Sequence, residues 1–362
     1  MRTARKILLS LAALLFSLGL GEWAVRAFHL VPDVFRLQLG LVRLAPDPRI
    51  RYELVPNYVS PLRDVEINSR GMRNRPVEPA KPSGVCRVAC IGDSVAFGMG
   101  TPRDHFSVQL EKRLNASAPP GAPAFEVLNF GVPGYNVEQV AATLEKRAAA
   151  FDPDLVVYLY CLNDPQETSR ELEVTLARRG GAPARQAYVR QSWEASRSAL
   201  GGFRLGLLAR YGWASLFGAR AAAPRARYRD DMEILLEGGG APYYRSLYAA
   251  GASRDRFHAG LDAVARWSRE TGVPVLVAVM PVFLDLEAYP LEDLHAVVGA
   301  ALAERGLPFL DLLEVYRAAR RNGAVEINAD PLHPNREGYG LAAKAVEEAL
   351  RRGGKLEGRG RK

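Results

Sequence analysis

Between residues 85 and 350, short apolar runs alternate with segments of helical spacing, and few architectures accommodate that rhythm. Residues 86–91, 125–130, 155–160, 273–280 and 307–310 read as strands. They are brief, apolar almost throughout and bounded by turn residues, as strands buried on both faces must be. Residues 104–115, 137–150, 255–270, 291–305 and 338–350 read as helices; in the first, Phe106, Leu110 and Leu114 fall on one face. Strands that alternate with helices imply a parallel sheet covered on both sides, an α/β domain over residues 85–350.

One stretch breaks the rhythm. More than a hundred residues separate the third strand from the fourth, far more than a single crossover needs. Residues 165–250 are therefore expected to be an insert, with helical pieces at 187–197 and 203–217 that serve as a lid or substrate-facing subdomain, or else as a surface decoration or a membrane-lying helix pair. Residues 351–362 are rich in Gly, Lys and Arg and read as a basic disordered tail.

The amino terminus follows different rules. Arg2, Arg5 and Lys6 precede an apolar run over residues 7–21. Fifteen helical residues reach about 22 Å, short of a hydrocarbon core of about 30 Å. Extension through Trp23, Ala24 and Val25 closes the gap, and Glu22 and Arg26 then lie one turn apart. Residues 1–26 are expected to be an uncleaved signal anchor, a transmembrane helix, in preference to a signal peptide cleaved after Gly21. In both cases the basic flank stays inside and the remaining chain is exported to the periplasmic side. No cysteine follows the run, which excludes a lipoprotein anchor. Residues 27–84, rich in Pro and Arg, read as a stalk leading into an amino-terminal hairpin or extension.

Composition narrows the partners. The net charge of +8 is spread over 48 Lys and Arg against 40 Asp and Glu. No zinc spacing, helix-turn-helix pattern or aromatic-interleaved basic stripe accompanies it, so nucleic acid is not an expected partner. Cys86, Cys90 and Cys161 are an odd set, unsuited to a disulfide framework. Cys86 and Cys90 lie about 13 Å apart along one strand, so buried thiols are expected, with a Cys90–Cys161 bond as the alternative.

Four polar motifs sit where predicted strands or loops end. Gly92-Asp93-Ser94 follows the first strand, where α/β sheets place their reaction sites. Gly131-Val132-Pro133-Gly134 follows the second and makes a tight loop whose N–H groups can face an anion. Asn163-Asp164 follows the third, where an amide can donate to a developing oxyanion. Asp330 precedes His333 by three residues, just before the last helix, so that a carboxylate can fix an imidazole tautomer within one loop. Asp255 and His258 share that spacing but fall on a helix, where they read as a surface contact. His29, His105 and His295 lie on the stalk or on helices and suit solvated or packing roles.

In this order the motifs resemble the SGNH/GDSL hydrolase family over roughly residues 84–352. The matching blocks are Gly92-Asp93-Ser94, Gly134, Asn163-Asp164 and Asp330-x-x-His333. Membrane-anchored envelope members also look similar at Gly21-Glu22…Arg26 and at Asn68…Gly71-Met72-Arg73. The third block departs from the usual Gly-x-Asn-Asp, because Cys161 stands at its glycine. The resemblance implies a flavodoxin-like three-layer α/β/α fold with a five-stranded parallel sheet. It implies Ser94 as nucleophile, His333 as its base and Asp330 as the orienting carboxylate. The N–H groups of Ser94 and Gly134 and the amide of Asn163 would form the oxyanion hole, with Asp93 structural. It calls for no cofactor and no metal. The expected activity is hydrolysis of O-acyl, foremost O-acetyl, esters on glycans or small molecules. O-acyl transfer by the same residues is the alternative, and a membrane-tethered glycan-binding scaffold without turnover is the reading from another class.

Overall fold

The computed structural model describes residues 2–27, 41–60, 65–101, 103–168, 241–323 and 326–353. By its internal contacts the chain divides into residues 1–39 with 174–227, and residues 40–173 with 228–362. Within the first unit, helix α1 spans Arg2–Ala27. Among the described residues no helix is long and apolar enough to cross a membrane, so the expected transmembrane signal anchor finds no support there. Charged residues at both ends of α1 leave only residues 7–21 apolar, about 22 Å of helix against a core of about 30 Å. Leu9, Leu14, Leu15 and Phe16 on α1 are exposed, Phe16 to 71%.

The second unit holds the sheet. An antiparallel pair, β1 (Val42–Leu44) and β2 (Tyr52–Leu54), precedes it. Five parallel strands follow: β3 (Val85–Gly92), β4 (Ala124–Asn129), β5 (Leu155–Cys161), β6 (Val275–Met280) and β7 (Phe309–Asp311). Their spatial order is β4-β3-β5-β6-β7. Every residue of β5 and β6 is buried, which their β-branched and aromatic side chains allow. Each fully buried Val or Leu there contributes about 1.5–3 kcal/mol. The predicted strands and the observed ones agree to within two residues at most ends.

Helices supply the outer layers: α2 (Ser94–Phe97), α3 (Phe106–Ala116), α4 (Val137–Lys146), α5 (Ala241–Tyr248), α6 (Ala252–Thr271), α7 (Glu292–Glu304), α8 (Leu313–Arg321) and α9 (Arg336–Arg352). Helix α9 packs on α3, and α6 packs on α4. Asn136 and Gln139 form a capping box at the start of α4, and Asn335 caps α9 through the Gly338 N–H. Helix α8 has no counterpart among the helices expected from hydrophobic spacing. Helix α5 falls inside the expected insert 165–250 yet belongs to the domain, with Tyr244 buried and the Tyr248 hydroxyl 2.7 Å from that of Tyr160. The helical pieces expected at 187–197 and 203–217, like the tail beyond 353, lie outside the described residues.

The described part of the extension, from residue 41 on, is no detached stalk; arginines fasten it to the sheet. Arg87, 1% exposed on β3, donates to the carbonyls of Glu78, Pro79 and Ala80 and pairs with Glu126. A buried guanidinium is tolerable only when so fully bonded. Arg147 donates in turn to the carbonyls of Arg70 and Gly71.

Candidate active site

The chain enters the sheet at β3, steps to β4 on one side, and returns to β5 on the other. That reversal opens a crevice beyond the carboxyl ends of β3 and β5, the place where open α/β sheets bind their ligands. Ser94 stands two residues beyond the end of β3 and Asn163 two residues beyond the end of β5. Gly92 makes the turn possible: it has φ +147°, and a Cβ there would come within 2.7 Å of the Leu159 carbonyl oxygen.

Ser94 is the first residue of α2, so its N–H has no acceptor within the helix. Asp93 caps this helix through the Val95 N–H at 2.9 Å. The Asp93 carboxylate also accepts from the Asn163 amide at 3.3 Å and from the Cys161 thiol at 3.4 Å. It therefore ties the end of β3 to the end of β5, a fuller version of the structural role expected for it.

The imidazole arrives from the opposite side. Residues 327–335 close on themselves, the Ala329 N–H donating to the His333 carbonyl and the Asn335 N–H to that of Ile327. Asp330 organises the loop: one carboxylate oxygen accepts the N–H groups of Leu332 and His333 at 2.8 and 2.9 Å. The other lies 2.7 Å from His333 Nδ1. With Nδ1–H bound to the carboxylate, Nε2 is left as an acceptor, and it stands 2.8 Å from Ser94 Oγ. Both members of the Asp330–His333 pair are buried. Burial by itself would lower the His333 pKa, but the facing Asp330 carboxylate overrides it and the pKa is raised above its ordinary value. Burial acts to raise the Asp330 pKa, and the imidazole together with the two backbone donors brings it below the usual carboxylate value.

The sequence-predicted residues are therefore gathered unevenly. Ser94, His333 and Asp330 form one continuous hydrogen-bonded line, and Asn163 lines the same small cleft as Ser94. Gly134 does not line that cleft; it occupies the loop after β4 with φ +78°, and its N–H donates to no described residue. Two supports were not legible in the sequence. Arg73, buried, donates to the carbonyls of Phe97, Gly98 and Thr101 and lies over the Phe97 ring, which fixes the segment after Ser94. The Tyr339 hydroxyl donates to the carbonyls of Val95 and Met99. Only the Asn68…Arg73 resemblance pointed toward either.

Other expectations resolve plainly. Cys86, Cys90 and Cys161 are free and buried. His258 faces the Arg305 guanidinium at 3.1 Å, where a contact with Asp255 was expected. His295 is buried against Asp311 at 2.9 Å. Asp93, Cys161 and Asp164 each bring one ligand-type atom within 4.8 Å of the others. Burial, reinforced by Asp93, raises the pKa of both the Cys161 thiol and the Asp164 carboxyl well above their usual ranges. Protonated groups of this kind are poor metal ligands. A larger groove of about 670 Å³ between the extension and α3, lined by Asn68, Arg73, Arg103 and His105, includes neither Ser94 nor His333.

Residues 90–246 match the GDSL-like Lipase/Acylhydrolase family. No curated protein matches the chain by sequence. Among solved structures, an acetylxylan esterase mutant from Geobacillus stearothermophilus aligns at 14% identity, over 76% of this chain and 96% of its own, with a TM-score of 0.41. A GDSL-like lipase from Parabacteroides merdae aligns at 13% identity over 73% and 94% of the two chains, with a TM-score of 0.40. A two-domain esterase active on acetylated mannans aligns at 14% identity over 77% of this chain, with a TM-score of 0.38; the match spans about half of that protein, 51%. The family match begins at Cys90 and takes in the turn that carries Ser94, so over these residues the chain is similar to GDSL-like lipases and acylhydrolases.

Proposed function

We propose that this protein hydrolyses O-acyl esters, foremost O-acetyl groups carried on glycans, with Ser94, His333 and Asp330 as its triad. The observation that carries the proposal is the 2.8 Å contact between Ser94 Oγ and His333 Nε2, backed by Asp330 at 2.7 Å on Nδ1. Ser94 Oγ attacks the ester carbonyl while its proton passes to Nε2. The tetrahedral oxyanion is held by the N–H of Ser94 and by the Asn163 amide, which Asp93 orients. Collapse breaks the bond to the alcohol oxygen, which leaves with the proton from Nε2. Water then attacks the acyl-serine, gives its proton to the same nitrogen, and releases the free acid as Ser94 recovers its hydrogen. Asp330 stabilises the imidazolium at both stages without itself taking a proton.

A glycan carrier is favoured because a sugar alcohol can stay outside a cleft that admits only the acyl end. We read the catalytic unit as extracytoplasmic, on the strength of the basic residues ahead of the apolar α1 run and the exposure of its Leu and Phe side chains. Alkaline phosphatase fused after residue 84 should be active when exported; an inactive fusion would reverse the orientation. The central test is a fluorophosphonate probe together with acetate release from acetylated xylan and mannan. The wild type should be labelled on Ser94 and release acetate, and Ser94→Ala should do neither. Folded protein that takes no label and releases no acetate would refute the proposal.

A further inference from the structure

The cleft at Ser94 is small, and its walls are nearly all fixed. It measures about 10 Å³ and is lined by Asp93, Val95, Cys161, Met280, Val282 and Leu332 among others. That is room for about one water molecule, and a methyl group is of similar size. The leaving alcohol of a glycan cannot be housed there, so the enclosed end is the place for the acyl chain. Cys161 and Met280 are register partners at the ends of β5 and β6, 6% and 2% exposed. The Cys161 thiol is held by Asp93, so it does not swing away. On the opposite wall the Val282 N–H donates to the Tyr289 hydroxyl at 3.0 Å, and the Phe283 N–H to the Pro331 carbonyl at 2.7 Å.

We propose that the paired side chains of Cys161 and Met280 set the acyl-length limit of this enzyme, confining it to two-carbon acyl groups. The inference rests on the esterase reading above and adds the residues that choose the acyl group. An acetyl methyl fills the space of about 10 Å³ that these side chains leave beside Ser94. A third and fourth carbon meet the Cys161 sulfur and the Met280 chain, both packed into neighbouring strands. Cys161→Gly removes the inner wall, and Met280→Ala removes its partner from the other side.

The test measures kcat/KM on p-nitrophenyl acetate, propionate, butyrate and hexanoate with the full chain, each preparation titrated with fluorophosphonate for intact Ser94. In the wild type each added methylene should lower kcat/KM by about 10-fold or more. Cys161→Gly and Met280→Ala should each raise the butyrate-to-acetate ratio by about 10-fold. Cys161→Ser, close in size and able to donate to Asp93, should keep the wild-type ratio. That control separates pocket volume from the hydrogen bond to Asp93. Wild-type turnover that is flat from acetate to hexanoate, or a ratio unmoved in both enlarging variants, overturns this inference and leaves the esterase reading standing. Labelled, folded protein that turns over no ester of any length overturns both.

Discussion

Among the described residues two histidines pair with a carboxylate, Asp330–His333 with both members buried and Asp311–His295 with the carboxylate part-exposed, and they part ways at the hydroxyl each one meets. In the first, Asp330 holds His333 Nδ1 and Nε2 meets Ser94 Oγ at 2.8 Å. In the second, Asp311 holds His295 Nδ1 at 2.9 Å and Nε2 meets the Tyr289 hydroxyl at 3.3 Å. The first hydroxyl lies at a helix start over an open crevice. The second is enclosed, accepts the Val282 N–H, and burial raises its pKa above the ordinary tyrosine value. A dyad does not by itself make a base for catalysis. The hydroxyl must also face a space that substrate can enter, with donors ready for the oxyanion. The second pair instead fixes the loop after β6, which forms a wall of the first pair's cleft.

Substitutions can break that contrast, and the largest effect is expected at Ser94, the proposed nucleophile. Ser94→Ala should cost about 10⁶-fold in kcat, measured by acetate release, whereas a comparable loss in Tyr289→Phe would make the second dyad the reactive one. Asp330→Asn should lower kcat by about 10⁴-fold. It should also move the pH profile. His333 must be neutral to accept the proton, so kcat/KM falls as the pH drops through its pKa. The wild-type limb should therefore lie above 6.5, the ordinary histidine value, because Asp330 favours the charged form. Without that carboxylate the limb should shift to lower pH; an unshifted limb would assign the titration to another group.

Smaller effects sharpen the comparison. Asn163→Ala should lower kcat by about 10²–10³-fold with little change in KM, since an oxyanion donor acts in the transition state; a loss confined to KM would make Asn163 a binding group only. Tyr289→Phe strips a partner from the Val282 N–H and from His295, at about 1–3 kcal/mol of stability. A thermal melt should show a lower Tm, while kcat on acetate falls by less than Asn163→Ala causes.

Much of this arrangement could be read before any coordinates. Strands such as 155–160 announce themselves because a strand buried on both faces has no polar alternation to obscure it. The Asp330-x-x-His333 spacing is local, and one loop closes the pair. Helix α8 escaped notice because it is short, nine residues, and four of them, in LEVYRAARR, are charged. His295 read as a packing residue because Asp311, its partner, lies sixteen positions away on another element. The spanning anchor was expected from an apolar run too short to carry it without help from Trp23 and its neighbours.

What the sequence determined alone was the five strands of the sheet, most of the helices that cover it, and the placing of reactive groups at their ends. Hydrophobic periodicity and turn residues act over a few positions, so they are written locally. Only the tertiary structure decided which ends meet. The 239 positions between Ser94 and His333 are closed by the order of the strands and by α9 packing on α3, which depend on the whole core. The same holds for Arg73 beneath the Ser94 helix and for Cys161 beside Met280. Their meaning comes from neighbours across strands and loops, and no local pattern encodes it.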